Sequence, residues 1–161
     1  MRRPYLVLLA LCHLGCGDRD TTIDVTHDPC VALDVTSTAA TPTQAAGIAD
    51  AVGLWRAAGA PAIGGGGAGL PVVGGATIEV RFEDAAPAFH GLYDDETGII
   101  FVNERITDPD VIRIVIAHEL GHAFGLPHVD GRISLMNRGN LVTPPTAGDQ
   151  HALETLWGRC E

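Results

Sequence analysis

The chain has 161 residues, enough for one domain with a sizeable core and too few for a second once an N-terminal leader is set aside. It carries 20 acidic against 10 basic side chains, a formal net charge of −10, and every basic one is an arginine. That balance argues against a surface that neutralises nucleic-acid phosphates or adheres to anionic lipid headgroups.

Met1-Arg2-Arg3 supplies positive charge, Tyr5 to Leu11 an apolar run, and Leu14-Gly15-Cys16 closes it. So short a run does not span a bilayer, and residues 1–15 read as a secretory signal peptide. Gly15 before Cys16 resembles the cleavage box of bacterial lipoproteins, in which the cysteine is lipidated and heads the mature chain. Gly17 in place of aspartate after it implies, on the same resemblance, the outer membrane; the alternative is ordinary secretion to the periplasm or medium. Membrane contact would then come only through the lipid, on an otherwise soluble, monomeric domain. Residues 16–29 read as a polar tether and residues 30–161 as the domain.

Cys12 falls in the leader and Cys16 at its border, which leaves Cys30 and Cys160 at the two ends of the domain. In an oxidising compartment these two are expected to form a disulfide. Closing so long a loop would restrict the unfolded chain by about 4–5 kcal/mol in the entropic account. Two inert buried thiols are the other reading.

Within the domain, Cys30 to Val35 alternates around Val31, Leu33 and Val35 and predicts a first strand. Thr43 reads as the N-cap of a helix that carries Ala45, Ile48, Val52, Trp55 and Ala58 on one face, with Trp55 as packing. Gly64 to Gly75 has no periodicity and reads as a flexible connection, since a phosphate-binding loop would need a lysine. Ala76 to Phe82 and Gly98 to Asn103 read as strands. Between them Asp94, Asp95 and Glu96 could offer oxygen ligands to Ca2+, although three acids in a turn are more commonly just solvated. Asp108 and Pro109 open a helix whose Val111, Ile112, Ile114, Val115 and Ile116 are apolar on nearly all sides, so it should be central. Thr146 to Trp157 predicts a terminal helix, with Ala152, Leu153, Leu156 and Trp157 packing inward.

The central helix runs into His118-Glu119-Leu120-Gly121-His122-Ala123-Phe124-Gly125-Leu126-Pro127-His128, which reads H-E-x-x-H-x-x-G-x-x-H. His118 and His122 are one helical turn apart and share a face, so both can meet one cation, with Glu119 beside them. Gly125 can take a positive φ, end the helix and let the chain carry His128 back to the same ion. Three imidazoles leave a fourth position open for water, the arrangement of a catalytic Zn2+ rather than a closed structural one. His27, His90 and His151 show no ligand spacing and suit surface or capping roles.

This string resembles that of the metzincin zinc endopeptidases, and Ser134-Leu135-Met136-Asn137 stands where that superfamily has a methionine-containing turn, with Met136 beneath the metal. The likeness is best over Val111 to Trp157, and Leu135-Met136 is most similar to the turn of small matrixin-type domains. The resemblance implies an α+β zincin: a twisted mixed sheet, an active-site helix, the methionine turn and a C-terminal helix. It also implies that an edge strand binds an extended protein or peptide substrate antiparallel to itself, for which Phe89 to Tyr93 is the candidate; an ordinary surface loop is the alternative.

The chemistry expected of this set is hydrolysis of peptide bonds. Zinc on His118, His122 and His128 would activate water, and Glu119 would act as the general base and then pass the proton to the leaving amine. The competing function is a catalytically silent, zinc-stabilised module that binds peptides or surface polymers without cutting them.

Overall fold

The first helix, α1 (Pro42–Ala57), is capped two residues earlier than the expected Thr43, in a computed structural model that describes residues 26–65 and 75–161. Pro42 takes the first helical position, where its missing N–H is not needed and its φ is already helical, so the cap falls on Thr41. Gln44 Oε1 accepts the Thr41 N–H at 2.8 Å while Thr41 Oγ1 accepts the Gln44 N–H at 3.4 Å, a reciprocal capping box. The signal segment, Cys16, the tether up to residue 25 and the centre of the glycine-rich stretch lie outside the described residues.

Among the described residues, five strands form one mixed sheet: β1 (Leu33–Thr36), β2 (Ile63–Gly65), β3 (Ala76–Glu83), β4 (Gly91–Asp94) and β5 (Ile99–Asn103), in the order β2-β1-β3-β5-β4. The β1/β2, β1/β3 and β3/β5 pairs are parallel, and β4 runs antiparallel to β5 on the edge. Strand β1 is shorter than expected. Leu33 and Val35 are buried as the alternation requires, whereas Val31 precedes the pairing and is 55% exposed.

Val80, Ile100 and Tyr93 stand in one cross-strand row of β3, β5 and β4, all buried. Against that face lie α1 and the central helix α2 (Pro109–Ala123), which also pack on each other. The result is an α+β domain whose helices cover one side of the sheet. Asp108 caps α2, its Oδ1 accepting the Asp110 N–H at 2.9 Å, and Ile112, Ile114, Val115, Ile116 and Leu120 are all buried. Trp55 has no exposed surface; its indole N–H donates to Ala117 C=O at 2.7 Å and its ring meets Phe124 edge-on at 5.3 Å. It is packing, as expected.

The terminal helix α3 (Ala147–Trp157) begins at Thr146 as anticipated, but its buried face is narrow. Leu153 is buried, Ala152 and Trp157 are half-buried and Leu156 is 55% exposed, because α3 lies at the margin of the core beyond the end of α2. Cys30 and Cys160 form a disulfide with Cα atoms 4.9 Å apart. Just before it, the His27 N–H donates to Ala123 C=O at 2.7 Å, so residues 26–29 lie against the C-terminal end of α2.

Candidate metal centre

The last turn of α2 shapes the site. Gly125 adopts φ +87°, and the Leu126 N–H then reaches Gly121 C=O at 2.9 Å while the Gly125 N–H reaches His122 C=O at 2.8 Å. Those two bonds are a Schellman closure of the helix, and a side chain at residue 125 would strain it. The same turn brings Leu126 C=O to His122 Nδ1 at 2.8 Å and sends His128 back across the helix end. His128 Nε2 lies 3.2 Å from both His118 Nε2 and His122 Nε2.

The protons can be placed by chemistry. Leu135 C=O lies 2.7 Å from His118 Nδ1 and can only accept, and the same holds for Leu126 C=O at His122, so both Nδ1 atoms carry the hydrogen. Both neutral rings therefore aim Nε2 lone pairs inward. His128 Nε2 can donate to at most one of them, so one contact sets lone pair against lone pair; a cation in the middle satisfies all three. Burial lowers the pKa of His118. Burial, then repulsion from His118 and His128, brings His122 down to about 3, which keeps its ring neutral and able to ligate. Among the described residues this triad is the only group of three or more such side chains placed to hold a metal ion.

Glu119 lies one residue along α2 from His118 and is 6% exposed. Its Oε2 accepts the Tyr93 backbone N–H at 2.8 Å, so the edge strand itself orients the carboxylate. Burial pushes its pKa up to about 8, with the Tyr93 bond pulling the other way. Strand β4 can approach this closely only because residue 91 is glycine. A Cβ there would stand 2.7 Å from Val115 Cγ1 and 3.0 Å from Glu119 Oε1.

Met136 is buried against Gly121, which lies between His118 and His122 on α2; a Cβ on Gly121 would run into the Met136 thioether and come 3.2 Å from Trp55 Cζ2. The Val129 N–H donates to Met136 C=O at 3.0 Å, tying the residue after His128 to this turn. The turn in turn rests on Asp149, a buried acid that no sequence motif singles out as part of the site. Its carboxylate accepts the Ser134 hydroxyl, the Leu135 N–H at 3.0 Å and the Thr146 N–H at 2.8 Å. Thr146-x-x-Asp149 marks a helix start, and that capping box is the only signal the sequence offers. The loop beyond is cross-linked by asparagines: Asn137 Nδ2 donates to Val129 C=O at 2.7 Å, and Asn140 Nδ2 to Leu135 C=O at 3.1 Å and Thr143 C=O at 2.7 Å.

The structure does not gather Asp94, Asp95 and Glu96 into a ligand set. The Asp94 carboxylate instead closes its own turn, accepting the Glu96 N–H at 3.1 Å and the Thr97 hydroxyl at 2.7 Å. His27, His90 and His151 stand apart from the triad, and His27 Nε2 is buried with no hydrogen-bond partner. No protein-family model matches the chain, and no curated protein sequence matches it.

Proposed function

We propose that this chain is an exported zinc endopeptidase of the metzincin type, with a small matrixin-like domain, acting on protein or peptide substrates as a monomer. The observation that carries the proposal is the convergence of three imidazoles, with His118 Nε2 and His122 Nε2 each 3.2 Å from His128 Nε2, next in sequence to a buried carboxylate held by the edge strand. Tetrahedral zinc with Zn–N bonds of about 2.0–2.1 Å separates its nitrogen ligands by about 3.3–3.4 Å, close to the two separations from His128, which supports that ion. Imidazole donors also suit copper, iron and nickel, which makes the metal's identity a measurable part of the proposal.

Bound there, zinc supplies Lewis acidity that lowers the pKa of water toward about 7 and polarises a carbonyl. The protein's own groups do the rest. The Tyr93 N–H occupies Glu119 Oε2, so the proton from the attacking water is taken on Oε1 and handed from there to the leaving amine. The Nδ1–H bonds to Leu135 and Leu126 fix the His118 and His122 rings and raise their basicity as ligands. Strand β4 is the sheet edge nearest Glu119, an edge along which an extended peptide would pair, with the Tyr93 N–H kept for the Glu119 carboxylate. The disulfide suits an oxidising compartment, in keeping with export and an N-terminal lipid on Cys16.

The test is metal analysis of the purified chain together with mass spectrometry of a peptide mixture, beside Glu119→Ala and chelated samples. One zinc per chain, with cuts that vanish in both controls, supports the proposal. Stoichiometric zinc with no cuts favours the silent binding module.

A further inference from the structure

From Gly131 to Gly148 the chain carries two arginines and no acid, a positive stretch in a sequence whose formal net charge is −10. Arg132 faces the buried Asp149 carboxylate at 3.8 Å. Arg138, two residues past Met136, is exposed. An exposed arginine on a loose loop is ordinary solvated surface; this one stands on a turn that is fastened at both ends.

The turn runs over residues 137–140. The Asn140 N–H donates to Asn137 C=O at 3.1 Å, Gly139 takes φ +67°, and Arg138 has a negative φ. Those values fit a type II turn with Arg138 at its first corner. Asparagine side chains then lock the ends. Asn137 Nδ2 donates to Val129 C=O at 2.7 Å and to Arg132 C=O at 3.0 Å, and Asn137 Oδ1 accepts the Ser134 N–H at 3.0 Å. Asn140 Nδ2 donates to Leu135 C=O, the carbonyl that also meets His118 Nδ1, and Asn140 Oδ1 accepts the Thr143 N–H at 2.8 Å. Position 138 is therefore tied on one side to the residue after His128 and on the other to the support of His118. A side chain on so fixed a backbone gives up less freedom when it binds.

The charge of Arg138 is felt at the triad, where it adds to the repulsion that keeps the His122 ring neutral. Beside a cluster shaped to hold a divalent cation, a positive charge opposes that cation and does not serve the metal. It does serve an anionic group that a substrate brings to the same place. A guanidinium pairs with a carboxylate through two parallel N–H bonds, and a peptide offers carboxylates at its C-terminus and on Asp or Glu. We propose that Arg138 is a specificity residue that binds one carboxylate of the substrate at a fixed place beside the cleaved bond. The inference rests on the peptidase reading, which makes the triad the place of cleavage.

Two matched peptide sets separate the sources of the carboxylate. One compares free-acid with amidated C-termini; the other compares Asp and Glu with Asn and Gln at each position of end-capped decapeptides. Cleavage by the zinc-loaded parent, Arg138→Gln and Arg138→Lys is read by mass spectrometry. Binding is read separately, by fluorescence anisotropy, on Glu119→Ala and Glu119→Ala/Arg138→Gln. Position 138 is an exposed turn corner that accepts most residues, so neither replacement disturbs the fold. The expected result is a preference of about tenfold for carboxylate over amide in one set, lost in Arg138→Gln and reduced in Arg138→Lys. The set in which it appears names the carboxylate. Cleavage with no such preference in either set, or with one that Arg138→Gln leaves undiminished, overturns the role of Arg138 while leaving the peptidase standing. A binding preference that Arg138→Gln abolishes, without cleavage by the parent, supports carboxylate recognition and overturns the peptidase. Neither cleavage nor binding overturns both.

Discussion

Asp149 and His118 grip the same residue from opposite sides: the Leu135 N–H donates to Asp149 at 3.0 Å, and Leu135 C=O accepts from His118 Nδ1 at 2.7 Å. A carboxylate on α3 thereby sets the ring of a candidate metal ligand on α2 through a single residue of the methionine turn. Outer contacts of this kind hold ligand orientation and basicity. Asp149→Ala should lower zinc affinity about 10- to 100-fold, read by competition with a chromogenic chelator, while Glu119→Ala leaves it near the parent value. Equal affinity in Asp149→Ala and the parent would remove Asp149 from the positioning of His118.

The same carboxylate makes acid stability testable. Burial acts to raise the Asp149 pKa, but the bonds from Ser134, Thr146 and Leu135 together outweigh it and hold the group below its ordinary value. A depressed carboxylate contributes stability above its unfolded pKa, and that contribution is lost as pH falls through the folded one. His27 is also depressed, by burial, so below about pH 6.5 the unfolded chain takes up a proton that the folded chain resists. Urea titrations of the metal-free chain should therefore show His27→Leu losing less stability than the parent between about pH 7 and 5. Asp149→Asn should lose less than the parent below about pH 4. Parallel curves for parent and variants would contradict both assignments.

Glu119 is expected to separate metal binding from chemistry. It follows His118 in the chain but is not one of the converging groups, and its Oε2 accepts a hydrogen bond from the Tyr93 N–H. Glu119→Gln keeps the shape and the acceptor but not the basicity. Zinc content should stay at one per chain while kcat/KM falls by roughly 10²- to 10⁴-fold, the usual worth of a positioned general base. A variant that cleaves peptides like the parent would rule out this proton route.

Features set by local rules were legible in the sequence. The spacing of His118, His122 and His128 is helical periodicity followed by a glycine turn, and both are settled within eleven residues. Cys30 and Cys160 came from counting alone. The cap of α1 lies two residues before the expected Thr43 for a reason that is also local: Pro42 moves it to Thr41. Other features depend on segments far apart in the chain. The Tyr93 N–H meets Glu119 across 26 residues, and Asp149 meets Leu135 across 14. No periodicity reports such meetings. Apolar pattern likewise names a face without saying how far along an element the core extends, which is why Val31 and Leu156 are exposed.

Gly121 should tolerate little. In the H-E-x-x-H string it is formally a free position, yet a Cβ there meets the Met136 thioether and stands 3.2 Å from Trp55 Cζ2. Met136 can adjust, but Trp55 is locked by its bond to Ala117 C=O and its contact with Phe124. Gly121→Ala gains some helix propensity and overpacks this junction, for a net loss of about 1–3 kcal/mol in denaturant unfolding. The double variant Gly121→Ala/Met136→Ala should lose less than the sum of its parts, since the second change empties the space the first requires. Strict additivity would mean that the two side chains do not compete for that volume.

The disulfide ties the segment before β1 to the chain just beyond α3, across a sequence separation of 130 residues. For a loop of that size the entropic account gives about 5 kcal/mol, and measured losses for small exported domains run to about 2–5 kcal/mol. Cys30→Ser/Cys160→Ser should unfold at correspondingly lower denaturant. The His27 N–H bonds Ala123, next to His122, so loosening of residues 26–29 would be felt at the C-terminal end of the helix that bears His118 and His122. Zinc stabilises only the folded state, so saturating it should restore part of the lost stability. Hydrogen exchange of the His27 and Leu126 amides distinguishes the cases: faster exchange at His27 alone means that the bridge holds only the entering segment. Faster exchange at both means that it also supports the turn that carries His128.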